Sequence, residues 1–132
     1  MDTTPTVVII EDSSTQSKLL AAQVSKYGIN VICAEDGLQG LRIVDIVRPD
    51  LIVLDVNMPR MDGYQVCMRL KRDPNTRHIP VIMITSNDSS DDALKGLEAG
   101  ADDYFPKDAF AFEHLLAALE TLGFLGGRHA DQ

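Results

Sequence analysis

The segment "LIVLDVNMPRMDGY", residues 51–64, contains an apolar run that ends on a carboxylate, Asp55. Leu51 to Leu54 have the near-continuous apolarity of a strand that is covered on both faces. Turn-forming residues follow at once, so the strand stops and a helix is predicted to begin at Asp62, a suitable N-cap. A buried strand therefore carries an acid to its carboxyl end.

Four further apolar runs have the same character, and segments of helical periodicity separate them. The predicted strands are residues 6–10, 30–34, 51–55, 80–85 and 103–106. The predicted helices are residues 14–27, 37–48, 62–72, 89–99 and 109–122. Strands that alternate with helices through short loops predict an α/β fold, with a parallel sheet and helices on both of its faces.

The chain has 132 residues, a length that suits one domain. No repeat or linker interrupts the pattern, so residues 1–132 are predicted to form a single domain. Its core is expected at about residues 5–122, and residues 123–132 are expected to form a C-terminal tail. The sequence leaves open whether this domain stands alone or belongs to a longer protein.

Composition excludes several classes of protein. No run of about 20 apolar residues predicts a membrane span, and the N-terminus lacks the pattern of a signal peptide, so a cytoplasmic protein is expected. Twelve basic and twenty acidic residues give a net charge of −8, which argues against direct binding to nucleic acid. Cys33 and Cys67 lie apart from each other and from histidine, and are predicted to be buried, reduced thiols.

Polar side chains follow four of the predicted strands at their carboxyl ends, the edge where doubly wound sheets bind ligands. They are Glu11 and Asp12 after the first strand, Asp55 at the end of the third, Thr85 and Ser86 after the fourth, and Lys107 after the fifth. If the first and third strands are neighbours, the three carboxylates lie within about 5–10 Å of each other. Such a group repels itself, and one lysine does not balance it. Because the ligands are all oxygens, Mg²⁺ is the predicted cation.

This arrangement has a definite chemistry. A carboxylate beside Mg²⁺ can attack phosphorus and form an acyl phosphate. The Lys107 ammonium and the Thr85 hydroxyl would then hold the other phosphoryl oxygens. The turn at residues 58–63 would bring the main-chain carbonyl of Asn57 toward the metal.

Four segments resemble the receiver domain of bacterial two-component response regulators, the CheY-like family: "VVIIEDS", "DLIVLDVNMPRMDGYQV", "PVIMITS" and "AGADDYFPK". The resemblance covers about residues 5–122. It implies a flavodoxin-like sheet of five strands in the order 2-1-3-4-5. It also implies phosphoryl transfer from a sensor histidine kinase or a histidine phosphotransfer protein, with no enzymatic activity beyond the domain's own phosphorylation and dephosphorylation.

The resemblance also implies roles for particular residues. Asp55 would be the phosphoacceptor, Asp12 and Asp55 direct Mg²⁺ ligands, Glu11 a ligand partly through water, Thr85 the switch hydroxyl, Tyr104 the switch aromatic and Lys107 the cation that senses phosphate. Phosphorylation would change the surface of helix 4, strand 5 and helix 5, which would bind a downstream protein or a second copy. The small Ser86 would leave a path to the site, and Asn57 and Asn87 would tune the lifetime of the phosphate.

One position departs from the family pattern, because Asp108 rather than proline follows Lys107. The bond between them is therefore predicted to be trans. Asp108 has two open roles: it caps the last helix, or it weakens the hold of Lys107 on phosphate. The broad apolar surface of that helix also has two interpretations, a wide core face or a docking face.

Three alternatives compete with a phosphorylated receiver. A degenerate receiver would act by protein contact alone. A phosphohydrolase of the haloacid-dehalogenase type would need a second aspartate at position 57, where this chain has Asn57, and room for a cap domain. A flavodoxin-like FMN carrier would need a glycine-containing, less acidic loop than "EDSSTQS" after the first strand.

Overall fold

The computed structural model describes residues 4–86 and 90–124, with the backbone alone for residues 90–93. Strands and helices alternate along the chain. They are β1 (Thr6–Ile10), α1 (Ser14–Ser25), β2 (Asn30–Ala34), α2 (Gly37–Val47), β3 (Leu51–Asp55), α3 (Gly63–Arg72), β4 (Val81–Thr85), α4 (Ser90–Glu98), β5 (Asp103–Pro106) and α5 (Ala111–Thr121). The predicted elements are confirmed, with helix ends displaced by a few residues.

The five strands form one parallel sheet in the order β2-β1-β3-β4-β5. This confirms the doubly wound, flavodoxin-like α/β fold. In the pairing of β1 with β3, Ile10 lies opposite Leu54, so Glu11 and Asp55 follow at the same level of the sheet. The register of the sheet therefore sets two acids side by side at its carboxyl edge.

Side chains of the central strands alternate between two cores, as the period of a strand requires. Val8 and Ile52 belong to the core under α2 and α3. Val7 and Val53 belong to the core under α1 and α5. All four are fully buried, and burial of a side chain of this size contributes about 1.5–3 kcal/mol. The two cores make the centre of the sheet a rigid support for its edge.

Three of the described helices begin with side-chain caps, among them α2, whose cap is Asp36. Ser13 caps α1 by accepting a hydrogen bond from the main-chain N–H of Gln16. Asp62 caps α3, and it forms a reciprocal capping box with Gln65. The predicted role of Asp62 is confirmed.

Of the two roles left open for Asp108, the structure contradicts the first, a cap on α5. The cap position is Phe110, and no side chain caps the helix there. The Asp108 carboxylate instead accepts the N–H of Phe110 at 2.8 Å, and its carbonyl accepts the N–H of Ala111. This local turn delays the helix by two residues relative to the prediction, because an aspartate also stabilises such turns with its own backbone. The described residues contain no cis peptide bond, so the predicted trans bond after Lys107 is confirmed.

The broad apolar surface of α5 belongs mainly to the core. Leu115 and Leu119 are buried, and Phe112 and Leu116 pack beside them. Phe110 lies outside this contact and is 61% exposed. The core therefore accounts for most of the breadth of this surface.

The two cysteines are free thiols, as predicted, but only one of them is buried. Cys67 lies in the core, where burial raises its pKa to about 11. Cys33 is half-buried, so its predicted burial was wrong in degree, because β2 is an edge strand of the sheet. Among the described helices, none is long and apolar enough to cross a membrane.

We expect Gly63→Ala to lower the free energy of unfolding by about 1–3 kcal/mol, the usual cost of overpacking. A Cβ atom at this position would collide with the main-chain oxygen of Asp55 and lie 2.8 Å from the Val56 Cα. Backbone atoms cannot rotate out of the way. Urea unfolding measures the effect, with Arg69→Ala on the exposed side of α3 as a control that should change stability by under about 0.5 kcal/mol. Equal stability of the two variants would contradict the expected collision.

Candidate functional site

Asp55 lies at the carboxyl end of β3, and only 2% of it is exposed. One of its carboxylate oxygens accepts the main-chain N–H of Asn57 at 3.1 Å. The other accepts a hydrogen bond from the Lys107 ammonium at 3.2 Å. The carboxylate is therefore held from two sides, by its own following turn and by the loop after β5.

Lys107 connects three elements of the carboxyl edge. Its ammonium lies 2.8 Å from a carboxylate oxygen of Glu11 and 3.1 Å from the side-chain oxygen of Gln16, in addition to its contact with Asp55. Its main-chain N–H donates to the Thr85 carbonyl at 2.6 Å, which fixes the loop beside β4. Sequence reasoning missed Gln16, whose signal was its place in the first turn of α1, next to the acidic pair.

The electrostatics of the site are those of a buried, excess negative charge. Burial raises the pKa of Glu11 and of Asp55, and Lys107 opposes both shifts. The charges of Asp55 and Asp12 raise the pKa of Glu11 further. The charge of Asp12 also raises the pKa of Asp55, while the hydrogen bond from Asn57 lowers it. Burial lowers the pKa of Lys107, but the hydrogen bond to Glu11 and the charges of both acids outweigh it, so this pKa is raised. Asp12, which is exposed, therefore belongs to the same electrostatic group.

The donor chemistry of this group fits Mg²⁺. Within the described residues, no three Asp, Glu, His or Cys side chains are arranged to hold a metal by themselves. Mg²⁺ does not require such a cage, since it commonly binds one or two carboxylates and keeps several waters. Asp12 and Asp55 carry the hard oxygen atoms that such a site would need, with Glu11 beside them.

Thr85 and Ser86 extend the edge from β4. Thr85 is fully buried at the end of the strand. The Ser86 hydroxyl accepts a hydrogen bond from the side-chain amide of Asn57 at 3.2 Å, which joins the ends of β3 and β4. Asn87, which was predicted to tune the site, lies outside the described residues. The structure thus brings together Glu11, Asp12, Asp55, Asn57, Thr85, Ser86 and Lys107 at one edge.

Residues 7–120 match the family model of the response regulator receiver domain. The chain is a response regulator receiver domain. The receiver is 39% identical over 118 residues to the DNA-binding dual master transcriptional regulator RpaA of Synechocystis sp., a match that covers 89% of the receiver and 48% of the relative. It spans about half the length of the curated relatives that it matches first.

Solved structures agree with this assignment. The receiver superimposes with a TM-score of 0.82 and 36% identity on the signal receiver domain of a signal transduction histidine kinase from Syntrophus aciditrophicus, with 93% of this chain and 91% of that chain covered. It is also similar to the Mn²⁺-bound form of response regulator Rcp1, with a TM-score of 0.75, 25% identity and coverage of 89% and 92%.

In the receiver, the Tyr104 ring packs against α4 at a glycine. A Cβ atom on Gly96 would lie 2.6 Å from the ring and 3.4 Å from the sulfur of Met83, so only glycine leaves the ring this space. The Tyr104 hydroxyl is buried and has no hydrogen-bond partner among the described residues. The edge of the ring is thus closely packed, while the hydroxyl group at its end lacks a hydrogen bond to any described residue. Sequence reasoning selected Tyr104 and missed Gly96.

We expect Asp55→Asn to raise the free energy of unfolding, measured in EDTA near pH 7. Burial raises the pKa of Asp55, so the folded protein disfavours the carboxylate relative to the unfolded chain, and the amide removes this cost. Lys107 keeps Glu11 and Gln16 as partners. Because the folded receiver binds this proton more tightly, wild-type stability falls as the pH rises through the raised pKa. Wild type and variant should therefore converge as the pH is lowered toward about 4.

Urea unfolding followed by circular dichroism at several pH values measures this difference. Asp45→Asn is the matched control, because the Asp45 carboxylate is 67% exposed and pairs only with the neighbouring Arg48 among the described residues. A difference between wild type and Asp55→Asn that does not change with pH would contradict the assigned cause.

We expect Tyr104→Phe to raise the free energy of unfolding by about 1 kcal/mol, because it removes a buried hydroxyl that has no hydrogen-bond partner within the described part of the chain. Thermal or urea unfolding measures the change. Tyr27→Phe is the control, since the half-buried Tyr27 carries no such orphaned hydroxyl. A loss of stability in the Tyr104 variant would show that the hydroxyl is satisfied in solution.

Proposed function

We propose that the receiver accepts a phosphoryl group on Asp55 from a sensor histidine kinase or a histidine phosphotransfer protein, with Mg²⁺ as cofactor. The observation that carries this proposal is the position of the Asp55 carboxylate. It lies at the end of a central strand, fixed by Asn57 and Lys107, with further acids beside it. In the transfer, a carboxylate oxygen bonds to phosphorus as the bond from phosphorus to the donor's histidine nitrogen breaks.

Mg²⁺ would be held by Asp12, Asp55 and the main-chain carbonyl of Asn57, with Glu11 contributing partly through water. The bound ion would supply positive charge that offsets the repulsion between the incoming phosphoryl group and the acids. The raised pKa values of Glu11 and Asp55 support this role, since a cation favours their charged forms. The metal-bound form of the similar regulator Rcp1 supports the choice of a divalent ion.

Lys107 and Thr85 would bind the transferred group. The Lys107 ammonium already contacts the Asp55 oxygen, so it stands beside the bond that forms. Asp108 is not among the hydrogen-bond partners of that ammonium and engages Phe110 instead, which favours an undiminished hold on phosphate. Ser86 would leave the path to Asp55 open, while Asn57 and Asn87 would control the access of water and so the phosphate lifetime.

The output would be a changed surface on α4, β5 and α5. The Thr85 hydroxyl would turn toward the phosphoryl group, and the position of Tyr104 would respond to the space so vacated. This is a shift between two packings of nearly equal free energy. The changed surface would bind a downstream protein or a second receiver.

The receiver would act as a single domain, with its core at about residues 5–122, in the cytoplasm. DNA binding is a property named for the relative RpaA, which is about twice as long as this chain. We propose no direct contact between this receiver and nucleic acid, in agreement with its net charge of −8. Its catalysis would be limited to its own phosphorylation and dephosphorylation.

A degenerate receiver that never binds phosphate is the second candidate. The observation in its favour is that the Lys107 ammonium forms ion pairs with both Glu11 and Asp55, so the charged groups of the site already have partners within the domain. The dehalogenase-type alternative loses support, because Asn57 donates its amide to Ser86 and offers no proton-transfer group.

The intact mass of the receiver after incubation with acetyl phosphate and Mg²⁺ tests the proposal. We expect a gain of one phosphoryl group that is absent in EDTA and in Asp55→Asn, and that is retained in the control Asp45→Asn. No gain, either from acetyl phosphate or from a phosphorylated histidine phosphotransfer protein, would support the degenerate receiver.

A further inference from the structure

Basic side chains are concentrated in one part of an otherwise acidic chain. Residues 42–77 contain seven of the twelve Lys and Arg residues and five of the twenty Asp and Glu residues. This segment therefore has a net charge of +2, while the rest of the chain has a net charge of −10. The asymmetry places positive charge around α3 and the loop before it.

Four exposed arginines lie in or beside the loop of residues 56–62. We call them the arginine surface: Arg42, Arg60, Arg69 and Arg72. A groove of about 430 Å³ between the start of α2 and the loop is lined by Arg42 and Arg60. A second groove of about 300 Å³ along α3 is lined by Arg60, Arg69 and Arg72. Both grooves share Arg60 and Met61, so they form one continuous surface.

The four guanidinium groups have no acidic partner in the described residues. In the part of the chain that the structure describes, none of them forms an ion pair. The acids at the margin of the surface accept hydrogen bonds from main-chain N–H groups. Asp36 accepts the N–H of Gln39 as the cap of α2, and Asp62 accepts the N–H of Gln65 as the cap of α3. The arginines therefore remain available for a ligand.

Arg60 has an unusual backbone conformation. Its φ is 67°, in the left-handed region that a long side chain rarely adopts. The N–H of Met61 donates to the Pro59 carbonyl at 2.7 Å across Arg60, which closes a tight γ-turn. Gly63 holds the loop to the end of β3 by donating to the Val56 carbonyl. The fold thus imposes a strained turn that fixes Arg60 between the two grooves, and such strain is often found at binding sites.

We propose that the arginine surface binds an acidic segment of a partner protein. Guanidinium groups bind carboxylates through paired, charge-assisted hydrogen bonds. Met61 and Met68, both half-buried, line the second groove beside the arginines and offer adaptable apolar contact. The surface therefore fits a segment in which Asp or Glu alternates with an apolar residue.

Two other occupants fit less well. A nucleic acid is a long polyanion, and the charge of −10 on the rest of the chain would repel it. A second copy of the chain also carries a net charge of −8 and would approach against that charge. The proposal is independent of phosphoryl transfer, because the hydrogen-bond partners of the Asp55 carboxylate in the described residues are Asn57 and Lys107, and neither belongs to the arginine surface.

Fluorescence anisotropy with a labelled peptide in which Glu and Asp alternate with Leu tests the proposal, at low and moderate salt. We expect saturable binding that weakens with salt. The triple variant Arg60→Gln, Arg69→Gln, Arg72→Gln should bind about tenfold more weakly, the combined effect of three exposed ion pairs. The matched control Lys18→Gln, Lys26→Gln, Lys95→Gln removes the same charge from exposed positions outside residues 42–77 and should bind like wild type.

A triple Arg→Lys variant at positions 60, 69 and 72 separates charge from geometry. It should lose part of the affinity, because lysine keeps the charge but not the paired hydrogen bonds. Circular dichroism and thermal unfolding confirm that all variants fold. Equal losses in the arginine triple variant and its control, or no saturable binding by wild type, would overturn the proposal. Stronger binding of single-stranded DNA, or self-association lost in the triple variant, would also overturn it by assigning the surface to another occupant.

Discussion

The ion pairs of Lys107 with Glu11 and Asp55 are the interaction on which the carboxyl edge depends. One ammonium from the loop after β5 holds acids from the two central strands, at 2.8 and 3.2 Å. Both acids are almost fully buried, and Lys107 itself is 17% exposed. Removing charged groups from water costs more free energy than a single ion pair returns. The edge is therefore a place where the fold gives up stability to keep these charged groups together.

The rest of the domain makes this concentration of charge tolerable. The central strands are packed on both faces, so their ends cannot move apart to relieve the repulsion. The register of β1 against β3 sets Glu11 and Asp55 level, and a slip of one residue would send either acid to the opposite face. Gly63 then brings the start of α3 against the main chain of Asp55. The Asp55 carboxylate is thus positioned by backbone contacts more than by side chains.

Much of the fold and the site could be predicted from the sequence, because both depend on short, local patterns. Apolar runs of strand length predicted the sheet, and polar residues at the carboxyl ends of four of these runs predicted the site. Features that depend on contacts across the fold could not be predicted in this way. Asp108 satisfies the rule for a helix cap, yet the turn it makes with Phe110 competes with that role. Gln16 and Gly96 lie inside helical patterns, and only the packed structure shows that they face Lys107 and Tyr104.

Gly96 also affects the stability of the helix that contains it. Glycine in a helix interior costs about 0.5–1 kcal/mol relative to alanine, and α4 is only nine residues long. A helix this short has little stability of its own and depends on the surface it packs against. Tyr104 supplies part of that surface, at the point where glycine leaves room for it. The position of the Tyr104 ring and the stability of α4 are therefore linked through one local unfolding equilibrium. Amide hydrogen exchange along α4 would measure this equilibrium.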